Sequence, residues 1–214
     1  MRNVLRRWRR LTRDWREHRW LALDLETNGL DPAGDDILSV AWVPLGAHGI
    51  DLHAACAHVV HSPQPLTQSA TIHGLDRDRV DGGEPAERVL RALAEAATGC
   101  ILVAHHARLD RAFLQSAVDR LDLPLEPLAV VDTLGLERRR LRIAGHDAET
   151  LPANALSLAA CRARHGLPAV AGHDALADAV ACAELFLAQA WQACGRGRLS
   201  AASLVQWSGM RGVT

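Results

Sequence analysis

The chain has 214 residues, a formal net charge of −1 and 49% apolar side chains, enough for one domain with a real core but too little for two full domains. Near-neutral charge excludes a generic polyanion binder, and no run of about 18 apolar residues marks a membrane span. Five cysteines (56, 100, 161, 182 and 194) lack CxxC spacing and sit mostly among Ala, Leu and Val, which reads as reduced buried thiols in a cytoplasmic protein with no integral membrane association, not as a disulfide frame or zinc site.

Charge is unevenly spread. Residues 1–20 carry eight Arg against two acids, so the remainder is net −7. Within residues 2–19, Val4, Leu5, Trp8, Leu11 and Trp15 recur at helical spacing, which predicts a basic amphipathic helix over residues 1–19. Three readings of this arm stand open: phosphate contacts to nucleic acid, an anionic membrane surface, or packing of the Trp/Leu stripe on the domain or a partner.

Residues 20–26 read as a buried strand, closed by a turn at Asn28-Gly29 and Asp31-Pro32. Strands over 37–45 and 50–60 follow as a meander, then a loop-rich stretch over 62–83 with a short helix at 67–72. Next come a helix to about residue 97 after Gly83-Glu84-Pro85, a strand at 100–104, a helix at 106–121 and a strand at 128–131. Helices at 133–143, 155–165 and 174–191 complete a domain over 20–194, and residues 195–214 read as a tail or a small peripheral helix. Three meander strands followed by strand–helix alternation predict an α/β fold, a mixed sheet with helices packed on it.

The chemistry lies in dispersed acids. Asp24 and Glu26, two apart on a strand, project from one sheet face and interrupt an apolar run. Two such carboxylates repel each other and are costly to desolvate, a cost that a divalent cation offsets; hard oxygen ligands suit Mg²⁺ or Mn²⁺. Asp110 falls in the first turns of a helix after a buried strand. Asp178 lies in an Ala/Leu-rich helix, where an unpaired acid is expensive, and His173 stands in the loop before it. Taken singly, each piece has an ordinary explanation: a solvated strand end, an acid favoured at a helix N-terminus, a loop histidine.

Together they resemble the DEDDh 3′–5′ exonucleases, relatives of the polymerase proofreading subunit within the ribonuclease-H-like fold. Ala22-Leu23-Asp24-Leu25-Glu26-Thr27-Asn28-Gly29-Leu30-Asp31 resembles the first motif of that family, and Thr71-Ile72-His73-Gly74-Leu75 its His-Gly element. His105-His106-Ala107-Arg108-Leu109-Asp110 resembles the second motif, with His106 for the usual Asn and Leu109 for the usual Phe. Val131-Asp132-Thr133 resembles the Asp-Thr step, and His173 to Asp178 the third motif.

The resemblance implies the fold in detail, three antiparallel strands then two parallel ones. It implies a two-metal hydrolysis of single-stranded nucleic acid, DNA favoured over RNA, to nucleoside 5′-monophosphates. On that pattern Asp24 bridges two ions, Glu26 and Asp178 complete one, Asp110 serves the other, and His173 is the general base. Thr27, Gln68 and His73 would line the terminal nucleotide's pocket. Expected partners are 3′ ends of DNA or RNA, with a polymerase or other protein partner left open. Three rivals remain: an inactive interaction module of the same fold, a zinc hydrolase suggested by eleven His, and a phosphodiesterase of very short oligonucleotides.

Overall fold

The computed structural model describes residues 8–67, 74–146, 151–152, 154–170, 172 and 174–210. A single mixed sheet organises them. β1 (Trp20–Thr27) pairs antiparallel with β2 (Ile37–Gly46), and β2 pairs with both β3 (Gly49–Ile50) and β4 (Cys56–Val59). On its other side β1 runs parallel to β5 (Ile101–Ala104), and β5 parallel to β6 (Ala129–Asp132). The order is β3-β2-β1-β5-β6, with β4 off that path on β2. This is the ribonuclease-H-like arrangement, with one correction: the third strand is two strands. The Asp51 carboxylate accepts the N–H groups of His53 and Ala54 and folds Leu52–Ala54 into a 3-10 turn that divides the run.

The helices are α1 (Arg77–Asp81), α2 (Ala86–Ala97), α3 (Ala107–Arg120), α4 (Thr133–Ile143), α5 (Leu158–Arg164), α6 (Ala175–Cys194) and α7 (Ala201–Trp207). Alternation along β1 sorts the core into two layers. Leu21, Leu23 and Leu25 pack with Leu93 of α2 and Phe113 of α3, whereas Trp20 and Ala22 pack with Ala179 and Phe186 of α6. α5 begins later than the spacing predicts, because Ser157 caps it by accepting Ala160 N–H. α6 begins after its cap Asp174 and continues to Cys194. The helix expected at 67–72 falls mostly outside the described residues.

The two ends of the chain close on each other. Residues 8–11 are helical, but the helix stops there instead of running to 19. Asp14 instead bridges to Ser200, Trp15 N–H donates to Leu199 O at 2.8 Å, and Ala201 N–H donates to Arg13 O at 3.1 Å. Asp14 is buried and is gripped by Arg16, which holds its carboxyl well below the usual range. Leu11 and Trp15 enter the core, Trp15 lying edge-on to Phe186 and Trp191 at 6.1 and 5.3 Å between ring centroids. α7 is likewise no peripheral element: Ala201, Leu204 and Val205 are buried, and Gly135 of α4 lacks a side chain where the Ser208 backbone passes. Among the described residues no helix is long and apolar enough to cross a membrane, and all five cysteines are free.

Candidate active site

β1 outruns its parallel neighbour. Its pairing with β5 ends at Ala22↔Val103, while its antiparallel pairing with β2 continues to Thr27. Asp24 and Glu26 therefore stand where the two strands part, at the C-terminal end of the parallel strands, the usual crevice for ligands in open α/β sheets. Their side chains leave the sheet on the α6 face, since they alternate with the core residues Leu23 and Leu25. The register shifts between Glu26 and Thr27, a bulge that re-aims the strand end.

α6 supplies the third acid. Asp174 caps it by accepting Ala177 N–H at 2.9 Å, so Asp178 lies in its first turn. Carboxylate oxygens of Asp24, Glu26 and Asp178 lie within 4.8 Å of one another. Asp110 comes from the first turn of α3 and adds its charge to that of Asp24.

Such crowding has an electrostatic cost. Desolvation first, then Asp110, Glu26 and Asp178, raise Asp24 well above the usual carboxylate range. Desolvation, then Asp178 and Asp174, push Glu26 up to about 7. Desolvation, then Asp132, push Asp110 up to about 8. Carboxylates crowded in this way fit a hard divalent cation, which would replace the protons on Asp24, Glu26 and Asp110 and offset the repulsion.

The turn that carries Asp110 is held from the neighbouring strand. His106 caps α3 in the left-handed region (φ 72°) and makes no side-chain capping bond. Its backbone N–H donates instead to Asp132 Oδ1 at 3.0 Å. Thr133 Oγ1 reaches Ala104 O and His105 Nδ1, and Gln189 of α6 donates to Thr133 O at 3.0 Å. His105 also meets Leu156 O through Nε2, and burial lowers its pKa, which favours the neutral ring. Asp132 and Thr133 thus tie the Asp110 turn to the helix bearing Asp178. The sequence marked this pair only by resemblance; the signal for Asp132 was its place one residue before a helix, where a capping acid is favoured.

Thr27 is half-buried at the end of β1 and donates to Gly29 O at 2.7 Å. Asn28, 2% exposed, fixes the next loop: Nδ2 donates to Pro65 O at 2.9 Å, and Oδ1 accepts Thr67 N–H at 2.9 Å. Leu30 is 78% exposed and has no core role. His173, Gln68 and His73 lie outside the described residues.

A ribonuclease-H-like sheet with acids from β1, α3 and α6 gathered at one strand end defines a class of nucleases. The chain belongs to the exonuclease family: the RNase T-type exonuclease model matches residues 21–186. Within it the chain is of the DEDDh 3′–5′ type. It is 34% identical over 120 residues to the PolC-type DNA polymerase III of Listeria welshimeri, and 30% identical over 126 residues to that of Streptococcus pneumoniae. Those alignments cover 56% and 58% of this chain, but the chain spans only about 8% of the length of either polymerase. Among solved structures, E. coli exonuclease I in complex with a dT13 oligonucleotide superposes with a TM-score of 0.66 at 18% identity, covering 82% of this chain and 41% of that one. Cell-death related nuclease 4 superposes with a TM-score of 0.65 at 14% identity, covering 83% and 64%. These two likenesses carry the fold.

Proposed function

We propose that the chain is a 3′–5′ exonuclease that hydrolyses terminal phosphodiester bonds of single-stranded nucleic acid, DNA in preference to RNA, releasing nucleoside 5′-monophosphates. The observation that carries this reading is the convergence of Asp24, Glu26 and Asp178 within 4.8 Å, with Asp110 adjoining. DNA is favoured because the similar polymerases are DNA polymerases and a similar solved fold is complexed with a DNA oligonucleotide.

The donor set suits two Mg²⁺ or Mn²⁺ ions, which Asp24, Glu26, Asp178 and Asp110 would hold. Bound there, they would screen the phosphodiester's charge and polarise the attacking water. The residues do the rest. Asp174 and Asp132 fix the helix starts from which Asp178 and Asp110 project. His173 is assigned the proton of the attacking water, a role suited to an imidazole near neutral pH. Thr27, Gln68 and His73 are assigned the terminal nucleotide. The bounds read from the sequence, a basic amphipathic helix over 1–19, the exonuclease domain over 20–194 and a tail over 195–214, are kept as a proposed division only, because Trp15 and α7 pack with the domain.

A 3′-end assay tests the proposal. With Mg²⁺ or Mn²⁺ the chain should shorten a 5′-labelled single strand one nucleotide at a time and release 5′-monophosphates. Digestion from the 5′ end, or internal cleavage, would contradict it. Parallel DNA, RNA and dinucleotide substrates separate the proofreading-like reading from clearance of very short oligonucleotides.

A further inference from the structure

Outside its first twenty residues the chain is net acidic, yet α4 is the most basic of the helices α1 to α7. α4 carries four arginines against one acid. The acid, Glu137, is fully buried and engages Arg140 at 2.7 Å. Arg138 and Arg142, four residues apart, are both exposed, and neither guanidinium has a hydrogen-bond or ion-pair partner among the described residues. Arg139 lies over the indole of Trp207, 4.0 Å from the ring centroid.

Trp207 belongs to α7, beyond the residues matched by the family model. Between α4, α6 and α7 opens a cleft of about 240 Å³, lined in part by Arg139, Ile143, Gln192 and Trp207. Ile143 on its rim is 67% exposed.

The position of this cleft is set by two helices that leave the acid cluster. α6 carries Asp178 near its start and Gln192 near its end, fourteen residues on, or about 21 Å along a helix. α4 starts directly after Asp132, the carboxylate that holds the Asp110 turn.

We propose that the exposed flank of α4, with the Arg139–Trp207 pair, docks the single strand several nucleotides upstream of the 3′ end that reaches the acids. This rests on the proposed exonuclease activity and extends it to substrates longer than the active site itself can hold. Charge complementarity selects the occupant. A polyanion finds here two arginines without a carboxylate partner among the described residues, on a body that is net acidic, and a stacked guanidinium–indole pair offers a planar platform for a base. The distance makes the surface irrelevant to a dinucleotide and useful to a longer strand.

The full chain and two variants, Arg138→Ala/Arg142→Ala and Trp207→Ala, test this by fluorescence anisotropy with a labelled strand of about 15 nucleotides in EDTA, and by hydrolysis of that strand and of a dinucleotide with Mn²⁺. Melting temperatures and a Trp207→Phe variant, which should restore binding, separate lost docking from lost folding. The arginine pair should lower the salt slope of binding by about 1.4, two single-strand phosphate contacts at ~0.7 each. It should raise KM for the long strand about tenfold while leaving dinucleotide hydrolysis unchanged. An unchanged salt slope, equal loss on both substrates, or competition by polyglutamate but not by the strand would overturn the proposal. Strand binding by the wild-type chain, with the slope lowered in the arginine variant but no hydrolysis of either substrate, would instead refute the exonuclease reading and leave the surface standing.

Discussion

Asp132 accepts the backbone N–H of His106 at 3.0 Å and, through the same oxygen, that of Leu134 at 3.0 Å, so one carboxylate fastens the first turns of α3 and α4. This bond reaches across from β6 to the turn that carries Asp110, and it stabilises a non-glycine residue in the left-handed region.

That relationship gives the first prediction. Asp132→Ala removes the acceptor for two N–H groups and should cost about 1–3 kcal/mol of stability, with a fall in kcat larger than the change in KM. Asp132→Asn keeps an acceptor oxygen and should recover most of both. His106→Asn, a residue better suited to a positive φ, should be neutral or stabilising by about 0.5–1 kcal/mol. Chemical denaturation and steady-state kinetics read all three; a His106→Asn loss of more than about 1 kcal/mol would show that the turn depends on the imidazole itself.

The acid cluster sets a pH dependence whose sign follows from its raised pKa values. Glu26 and Asp110 hold their protons to about 7 and 8, far above their unfolded values. A group whose folded pKa is raised contributes stability below its unfolded pKa and loses it as pH rises through the folded one. The metal-free protein should therefore melt at lower temperature as pH goes from about 4.5 to 8, and Mg²⁺ or Mn²⁺ should reverse the loss while releasing protons. At pH 8, Asp24→Asn should raise the metal-free melting temperature by roughly 2–4 °C for each kcal/mol of relieved repulsion and abolish the cation response. A melting temperature indifferent to both pH and cation would contradict this.

Glu137 anchors α5 to α4. Fully buried, it accepts Arg140, Arg164 and His165. These partners hold its carboxyl well below the usual range against the opposing effect of burial. Its contribution is therefore present above its unfolded pKa of about 4.5 and lost as pH falls below it. Glu137→Gln should cost about 3–5 kcal/mol at pH 7 in urea denaturation and make acid unfolding between pH 4.5 and 2 shallower. A cost under about 1 kcal/mol would mean the network behaves like a surface pair.

Leu11 and Trp15 of the arm are part of the core, so truncation of the arm and loss of its charge must be tested separately. Trp15→Ala should cost about 3–5 kcal/mol in chemical denaturation, and deletion of residues 1–19 should destabilise the whole fold. Arg9→Ala and Arg10→Ala, on exposed residues, leave the core intact. They report phosphate contact through the salt slope of strand binding alone. An arm deletion that leaves stability unchanged would show that Trp15 packing contributes little.

Much of this was legible in the sequence, for identifiable reasons. Alternation placed Asp24 and Glu26 on one strand face, and helical spacing bounded α4 at Thr133 and Ile143. What escaped depended on bonds between distant segments. The split of the third strand needs the Asp51 side chain to outcompete the ladder locally. The early end of the N-terminal helix needs Ser200 and Leu199, nearly the whole chain away. α7 is seven residues long, too short for periodicity to distinguish it from a tail, and its burial depends on Trp15 and α4. Asp132 looked like an ordinary cap because the turn that it holds lies on a different strand.

The most direct measurement is single-turnover digestion of a 5′-labelled single strand by wild type, Asp24→Ala and Asp178→Ala, each shown folded by its melting curve. With Mn²⁺, wild type should give a ladder shortening from the 3′ end and nucleoside 5′-monophosphates, and both variants should lose at least about a thousandfold in rate. A wild-type chain that leaves the strand intact, or variants that digest it at the wild-type rate, would contradict the assignment of these carboxylates to hydrolysis.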